Sequence, residues 1–127
     1  MTCIFCSMDI ARIVGENKFA YAIKDGFPVT QGHTLIIPHR HAETFFDLTQ
    51  EEVSACMDLL SKQQQQIIES DASITGFNIG MNAGASAGQT IFHCHIHLIP
   101  RREGDVEDPR GGIRHIIPGK GFYKAYD

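Results

Sequence analysis

The sequence predicts an α+β domain in which an antiparallel sheet carries one long helix, and three observations lead to it. Several short runs repeat apolar residues with period two. One longer run repeats them at helical spacing instead. The connections between the strand-like runs are mostly too short for the crossover that a parallel pair requires.

Phe19-Ala20-Tyr21-Ala22-Ile23 alternates large and small residues and reads as a strand that ends at Asp25-Gly26. Gly32-His33-Thr34-Leu35-Ile36-Ile37-Pro38 is a second strand, rich in β-formers and closed by proline. Thr49-Gln50-Glu51-Glu52 is a capping box: the Thr49 hydroxyl accepts from the Glu52 amide while the Glu52 carboxylate reaches back. The helix it opens carries Val53, Cys56, Met57, Leu60, Ile67 and Ile68 as one apolar stripe, with Gln63 to Gln66 expected on a solvated face. Thr75 to Asn82 alternates again, and Asn82 to Gly88 is a loop of small residues. Ile91 through Ile99 reads as the next strand, stopped by Pro100, and Ile113 to Ile117 is a short apolar patch.

The chain of 127 residues is expected to form a single domain spanning 1–127, large enough to fold without disulfides. Its four cysteines, with no export signal at the N-terminus, are expected as reduced thiols in the cytoplasm. No apolar run approaches a membrane span. A formal net charge of −4 offers no footprint for long nucleic acid, although local donors still suit a small anion.

The chemistry concentrates in His93-Cys94-His95-Ile96-His97. On a strand, His93, His95 and His97 project from one side, roughly 7 Å apart in succession, while Cys94, Ile96 and Leu98 face the core. Polar strand faces usually mix Lys, Glu, Thr and Ser, so three imidazoles in a row point to catalysis. The glycine-bearing loop just before them forms an expected anion nest from successive backbone amides, to which Gln89 and Thr90 add side-chain donors. Cys3-x-x-Cys6 reads as half of a zinc site, as a thioredoxin-type pair, or as chance. Zinc needs two more ligands, which the Pro38-His39-Arg40-His41 segment and His93 can offer.

The run His93-Cys94-His95-Ile96-His97-Leu98-Ile99 resembles the signature of the histidine triad (HIT) family of nucleotide hydrolases and transferases. Matching segments are Cys3-Ile4-Phe5-Cys6, Gly32 to Pro38, Asn82, Gly88-Gln89-Thr90 and Pro100-Arg101. The resemblance implies a sheet of about five antiparallel strands, with one long and one short helix, paired into a homodimer. It implies His95 as the nucleophile at the α-phosphorus of a small-molecule nucleotide, with His97 on the phosphate and leaving group. His33 would orient the triad and support charge on His95. Gly88, Gln89 and Thr90 would hold phosphate oxygens, Asn82 the phosphate or leaving group, and Asp25 the ribose hydroxyls. In zinc-bearing members the metal ligands correspond to Cys3, Cys6, His41 and His93, with His39 the lesser candidate. A structural zinc and no organic cofactor are therefore expected.

Histidine at 97 and the run Ala87-Gly88-Gln89-Thr90 look closest to the dinucleoside polyphosphate hydrolase branch, which releases AMP. A purine nucleoside phosphoramidase and a non-catalytic nucleotide-binding module are the alternatives. A third would place a catalytic zinc on His93, His95 and His97 themselves.

Overall fold

The computed structural model describes residues 3–123 of the chain. Its strands are β1 (Ile13–Glu16), β2 (Ala20–Lys24), β3 (Thr34–Pro38), β4 (Ile74–Gly80) and β5 (Ile96–Arg102), with α1 (Gln50–Ser70) between β3 and β4. They form one five-stranded sheet in the order β1-β2-β3-β5-β4. Every neighbouring pair is antiparallel. The α+β class follows, with β1 added as a strand that the sequence pattern did not announce.

The alternation in β2 separates two cores. Ala20 and Ala22 face α1 and, with Ile36, Ile96, Cys56 and Leu59, form a fully buried cluster beneath it. Their small side chains bring the helix close to the sheet. Tyr21 and Ile23 point the other way and meet Leu35, Ile37 and Phe5, so the N-terminal segment covers the opposite face. Each buried isoleucine contributes about 1.5–3 kcal/mol relative to exposure.

The capping box forms in both directions: Glu52 N–H donates to Thr49 Oγ1 at 3.2 Å, and Thr49 N–H donates to Glu52 Oε1 at 2.8 Å. The helical stripe differs from expectation in detail. Buried positions are Glu52, Cys56, Leu59, Gln63 and Ile67, whereas Met57 and Ile68 are over a third exposed. Gln63, expected in water, is buried because Gly15 leaves room for it. A Cβ at Gly15 would strike the Gln63 amide nitrogen.

Two further expectations change. The expected short helix takes 3-10 rather than α form, the longest such run among the described residues being Gly112–Ile116. The segment before α1 closes a single 3-10 turn at Phe45–Asp47, capped by Thr44, and becomes extended at Leu48. The histidine strand begins at Ile96 rather than Ile91, because the chain at 93–94 is drawn to the end of β3 and the loop after it. There His93 Nε2 lies 2.8 Å from Pro38 O, and Cys94 N–H donates to Ala42 O at 2.7 Å. No helix among the described residues is long and apolar enough to cross a membrane.

Glu52 also receives the Arg40 guanidinium through two bonds, of 2.9 and 2.8 Å. That guanidinium and the Thr49 donors hold the Glu52 carboxyl below the usual carboxylate range, at about 2. Glu52→Gln should destabilise the fold at neutral pH by about 1–3 kcal/mol, read by chemical denaturation. The unfolded chain protonates this group first, so its contribution is full above the ordinary glutamate range and fades as pH falls towards 2. The gap between parent and variant should close over that window.

Candidate active site

β5 places His97 opposite Leu35, on the sheet face away from α1. His95 lies one residue before the strand, and its ring sits 5.2 Å from that of His97, centroid to centroid. His93 is fully buried and turns into the N-terminal segment, with Phe5 set edge-on to both His93 and His95. The three imidazoles thus divide: His95 and His97 border a cleft, and His93 anchors the wall behind it.

The backbone decides which ring nitrogens carry hydrogen. His95 Nδ1 lies 2.8 Å from the carbonyl of His93, which can only accept, so Nδ1 carries the hydrogen and Nε2 keeps its lone pair. Val29 N–H donates to His33 Nδ1 at 3.1 Å, so the hydrogen of neutral His33 is on Nε2. That nitrogen lies 2.9 Å from His97 Nδ1 and 3.3 Å from an Asp25 carboxylate oxygen. His97 accepts at Nδ1 and therefore carries its hydrogen on Nε2. Burial pushes His97 down to about 4 and lowers His33 as well, the latter against the pull of Asp25, so both rings are neutral near pH 7. His95 and His97 consequently present opposite tautomers: a lone pair on one Nε2 and a hydrogen on the other. His33 meets His97 directly rather than His95, whose Nδ1 hydrogen is taken by a main-chain oxygen.

The cleft has a volume of about 270 Å³. Asp25, Asn82, Gly88, Thr90, His95 and His97 supply its polar side; Ile4, Phe5, Ile23, Leu35 and Ile91 supply an apolar wall. Arg12 and Phe27 also border it. Of these, Ile4 and Phe5 were visible in the sequence only as the residues between two cysteines. Arg12 carried no signal at all, since a lone arginine after Ile10-Ala11 reads as ordinary surface.

The loop before the histidines acts differently from the expected nest. Ala87 and Gly88 amides donate to Gly84 O and Ala85 O, and the Gln89 amide also donates to Gly84 O. Gln89 is buried: its Oε1 accepts from Gly84 N–H at 2.8 Å, while Nε2 donates to Glu43 O and Ile91 O. Its side chain is therefore a brace for the loop and not a ligand donor. Gly84 and Gly88, at φ +97° and +94°, supply left-handed positions that a side chain would strain. Gly88, Thr90 and Asn82 remain on the cleft.

A second cluster lies behind Phe5. Cys3 Sγ and Cys6 Sγ sit 3.4 and 3.5 Å from His93 Nδ1, and Cys6 Sγ sits 3.2 Å from His41 Nδ1. All four ligand atoms lie within 4.8 Å of one another. His93 donates from Nε2 to Pro38 O, which leaves a lone pair on Nδ1 facing the sulfurs. Two thiols and two imidazoles at these separations fit a tetrahedral zinc site. His39 pairs instead with Glu16, at 3.2 Å. Asp25, His33 and His97 also converge within 4.8 Å, but His33 Nε2 is occupied by hydrogen while Val29 holds the other nitrogen. That cluster does not fit a cation. Nor do the triad histidines converge on one: His93 faces the sulfurs, and His97 Nδ1 faces His33.

Residues 9–104 match the family model for the HIT domain. An uncharacterised HIT-like protein of Mycoplasma genitalium is 42% identical over 106 residues, covering 80% of this chain and 74% of that one. The asymmetrical bis(5'-nucleosyl)-tetraphosphatase of Schizosaccharomyces pombe is 35% identical over 98 residues, covering 77% of this chain and 53% of that one. A Zn-bound histidine triad family protein from Mycobacterium smegmatis superposes with a TM-score of 0.75 at 36% identity, covering 83% of this chain and 78% of that one. In sheet order, in the histidines on and before β5 and in these likenesses, the chain belongs to the HIT domain family.

Proposed function

We propose that this protein hydrolyses dinucleoside polyphosphates at the α-phosphate through a nucleotidyl intermediate on His95, releasing AMP. The observation that carries the reading is the opposed pair of tautomers on one cleft. The lone pair of His95 Nε2 forms a bond to the α-phosphorus as the bond to the bridging oxygen breaks. His97 Nε2–H donates a hydrogen bond to that departing oxygen, which leaves as a phosphate anion. Water then attacks the phosphorus, the P–N bond breaks to return the lone pair to His95 Nε2, and the proton of the water passes to solvent. Covalent catalysis divides one hard displacement into two easier ones, and an imidazole is nucleophilic without first losing a proton.

Thr90 and Asn82 supply donors for phosphate oxygens, and Gly88 allows the backbone to approach them. Gln89 acts only by bracing that loop. Asp25, with oxygens turned to His33 and the Phe27 amide, accepts from ribose hydroxyls. The name of the fission-yeast relative supports a dinucleoside tetraphosphate as substrate. We assign the Cys3, Cys6, His41 and His93 cluster to one structural zinc, as the name of the mycobacterial relative supports. That ion would tie the N-terminal segment to His93 and take no part in the reaction. A homodimer through the outer edge of β4, beside exposed Ile79, Ile113 and Ile116, completes the reading.

Diadenosine tetraphosphate and an adenosine phosphoramidate, each incubated with parent protein and with His95→Ala, test the chemistry. AMP should appear from the dinucleotide with the parent, and the variant should be slower by roughly 10³-fold or more. Turnover of the phosphoramidate alone would move the enzyme to that activity; AMP binding with no turnover would leave a nucleotide-binding module. Metal analysis should find about one zinc per chain, lost in Cys3→Ser/Cys6→Ser and kept in His95→Ala. Finally, the unfolded chain takes up a proton on His97 near the ordinary histidine value, and the folded chain only near 4. The stability this confers is full above about 6.5 and is lost as pH falls towards 4. Urea titrations of His97→Gln should show a shallower loss across that window than the parent.

A further inference from the structure

We propose that Cys3 and Cys6 are a reversible oxidation site, and that a disulfide between them displaces the apolar wall of the nucleotide cleft. The inference rests on the nucleotide and zinc readings above, and adds to them a modification that reaches the cleft through Phe5.

The geometry favours this pair. Both are free thiols, Cys6 is exposed and Cys3 half-buried. Cys56 and Cys94 are buried, out of reach of an oxidant in solvent. Cys6 N–H donates to Cys3 O at 3.0 Å, closing a tight turn. Such a turn holds its end Cα atoms within about 7 Å, the reach of a disulfide. The two residues inside the turn are Ile4 and Phe5, both on the cleft. Phe5 is almost fully buried; its ring lies 5.1 Å from the His95 ring and 5.9 Å from that of His93, and its carbonyl accepts from the Tyr21 hydroxyl. The sulfurs therefore flank, within one turn, a side chain in contact with the nucleophile.

The oxidant is a peroxide, and the step balances. One thiolate attacks a peroxide oxygen, breaking the O–O bond and forming a sulfenic acid; the other attacks that sulfur and expels its oxygen. With two protons taken up, the sum is two thiolates and one hydrogen peroxide going to one disulfide and two waters. Both sulfurs lose their thiolate character, which leaves His41 and His93 as a pair too weak to retain a zinc ion. The sulfurs, now 3.4 and 3.5 Å from His93 Nδ1, must also approach within about 2.05 Å of each other. The turn tightens, and Phe5 moves with it.

The test treats zinc-loaded full-length protein with hydrogen peroxide beside a chromophoric zinc chelator, then reads free thiols, intact mass and AMP affinity by calorimetry. Expected are the loss of two thiols and two hydrogens, release of the bound zinc, and AMP binding weakened by about tenfold, the scale of one lost aromatic wall. A dithiol reductant with zinc should restore all three. Cys3→Ser should show no reversible two-hydrogen loss. Peroxide that leaves AMP affinity unchanged while the disulfide forms would overturn the proposal, as would oxidation that passes to sulfinic acid without a disulfide. If the reduced protein takes up no zinc, the metal reading fails separately, and thiol counts with AMP affinity still decide the link between the turn and the cleft. If the reduced protein binds no AMP, the nucleotide reading fails, and with it the consequence proposed for the cleft.

Discussion

Every polar group of the His93 side chain has a partner, and its carbonyl has one too. The ring donates from Nε2 to Pro38 O and offers Nδ1 to the sulfurs of Cys3 and Cys6, while the backbone carbonyl takes the hydrogen of His95 Nδ1. One fully buried residue thereby joins the end of β3, the N-terminal turn and His95. A polar group left unpaired at such depth would cost about 1–3 kcal/mol. Among the described residues no buried side-chain nitrogen or oxygen lacks a partner. The same bonds that settle His93 also cut short the strand expected from residue 91.

The sheet keeps its two faces distinct through side-chain size. Ala20 and Ala22 admit α1 closely, and Tyr21 and Ile23 fill the space beneath the N-terminal turn. The site occupies the second face, where cover comes from a short segment rather than a helix. Burial there is enough to keep His33 and His97 neutral, and open enough to leave a cleft. The helix-side core supplies rigidity, and the thinner side supplies access.

Much of this was legible in the residues. The capping box at Thr49, the alternation in β2 and the core set Cys94, Ile96 and Leu98 each depend on local spacing, which a sequence states directly. The row of histidines was legible for the same reason. What escaped depends on contacts between distant segments. Gln63 looks like solvent-facing helix until Gly15, far away in sequence, opens a place for it. Gln89 looks like a donor to phosphate until Gly84, Glu43 and Ile91 use its amide. Strand β1 is short and half-exposed, with a bulge after Ile13, so its alternation was too brief to read. The contact of His33 with His97 rather than His95 follows from register across β3 and β5, which no spacing within either strand reveals.

The two tautomers are set from the main chain: directly by the carbonyl of residue 93, and by the amide of residue 29 acting through the ring of His33. At residue 29 nearly any amino acid would still present the same atom. Genetically, the site therefore offers a small target. Replacement of Val29 leaves the orienting amide in place, unless proline is the replacement, because proline alone has no N–H. Drift can rewrite other side chains around the cleft, and with them what fits inside, while the division between the nitrogen that keeps a lone pair and the one that carries a hydrogen is inherited with His33 and the path of the backbone.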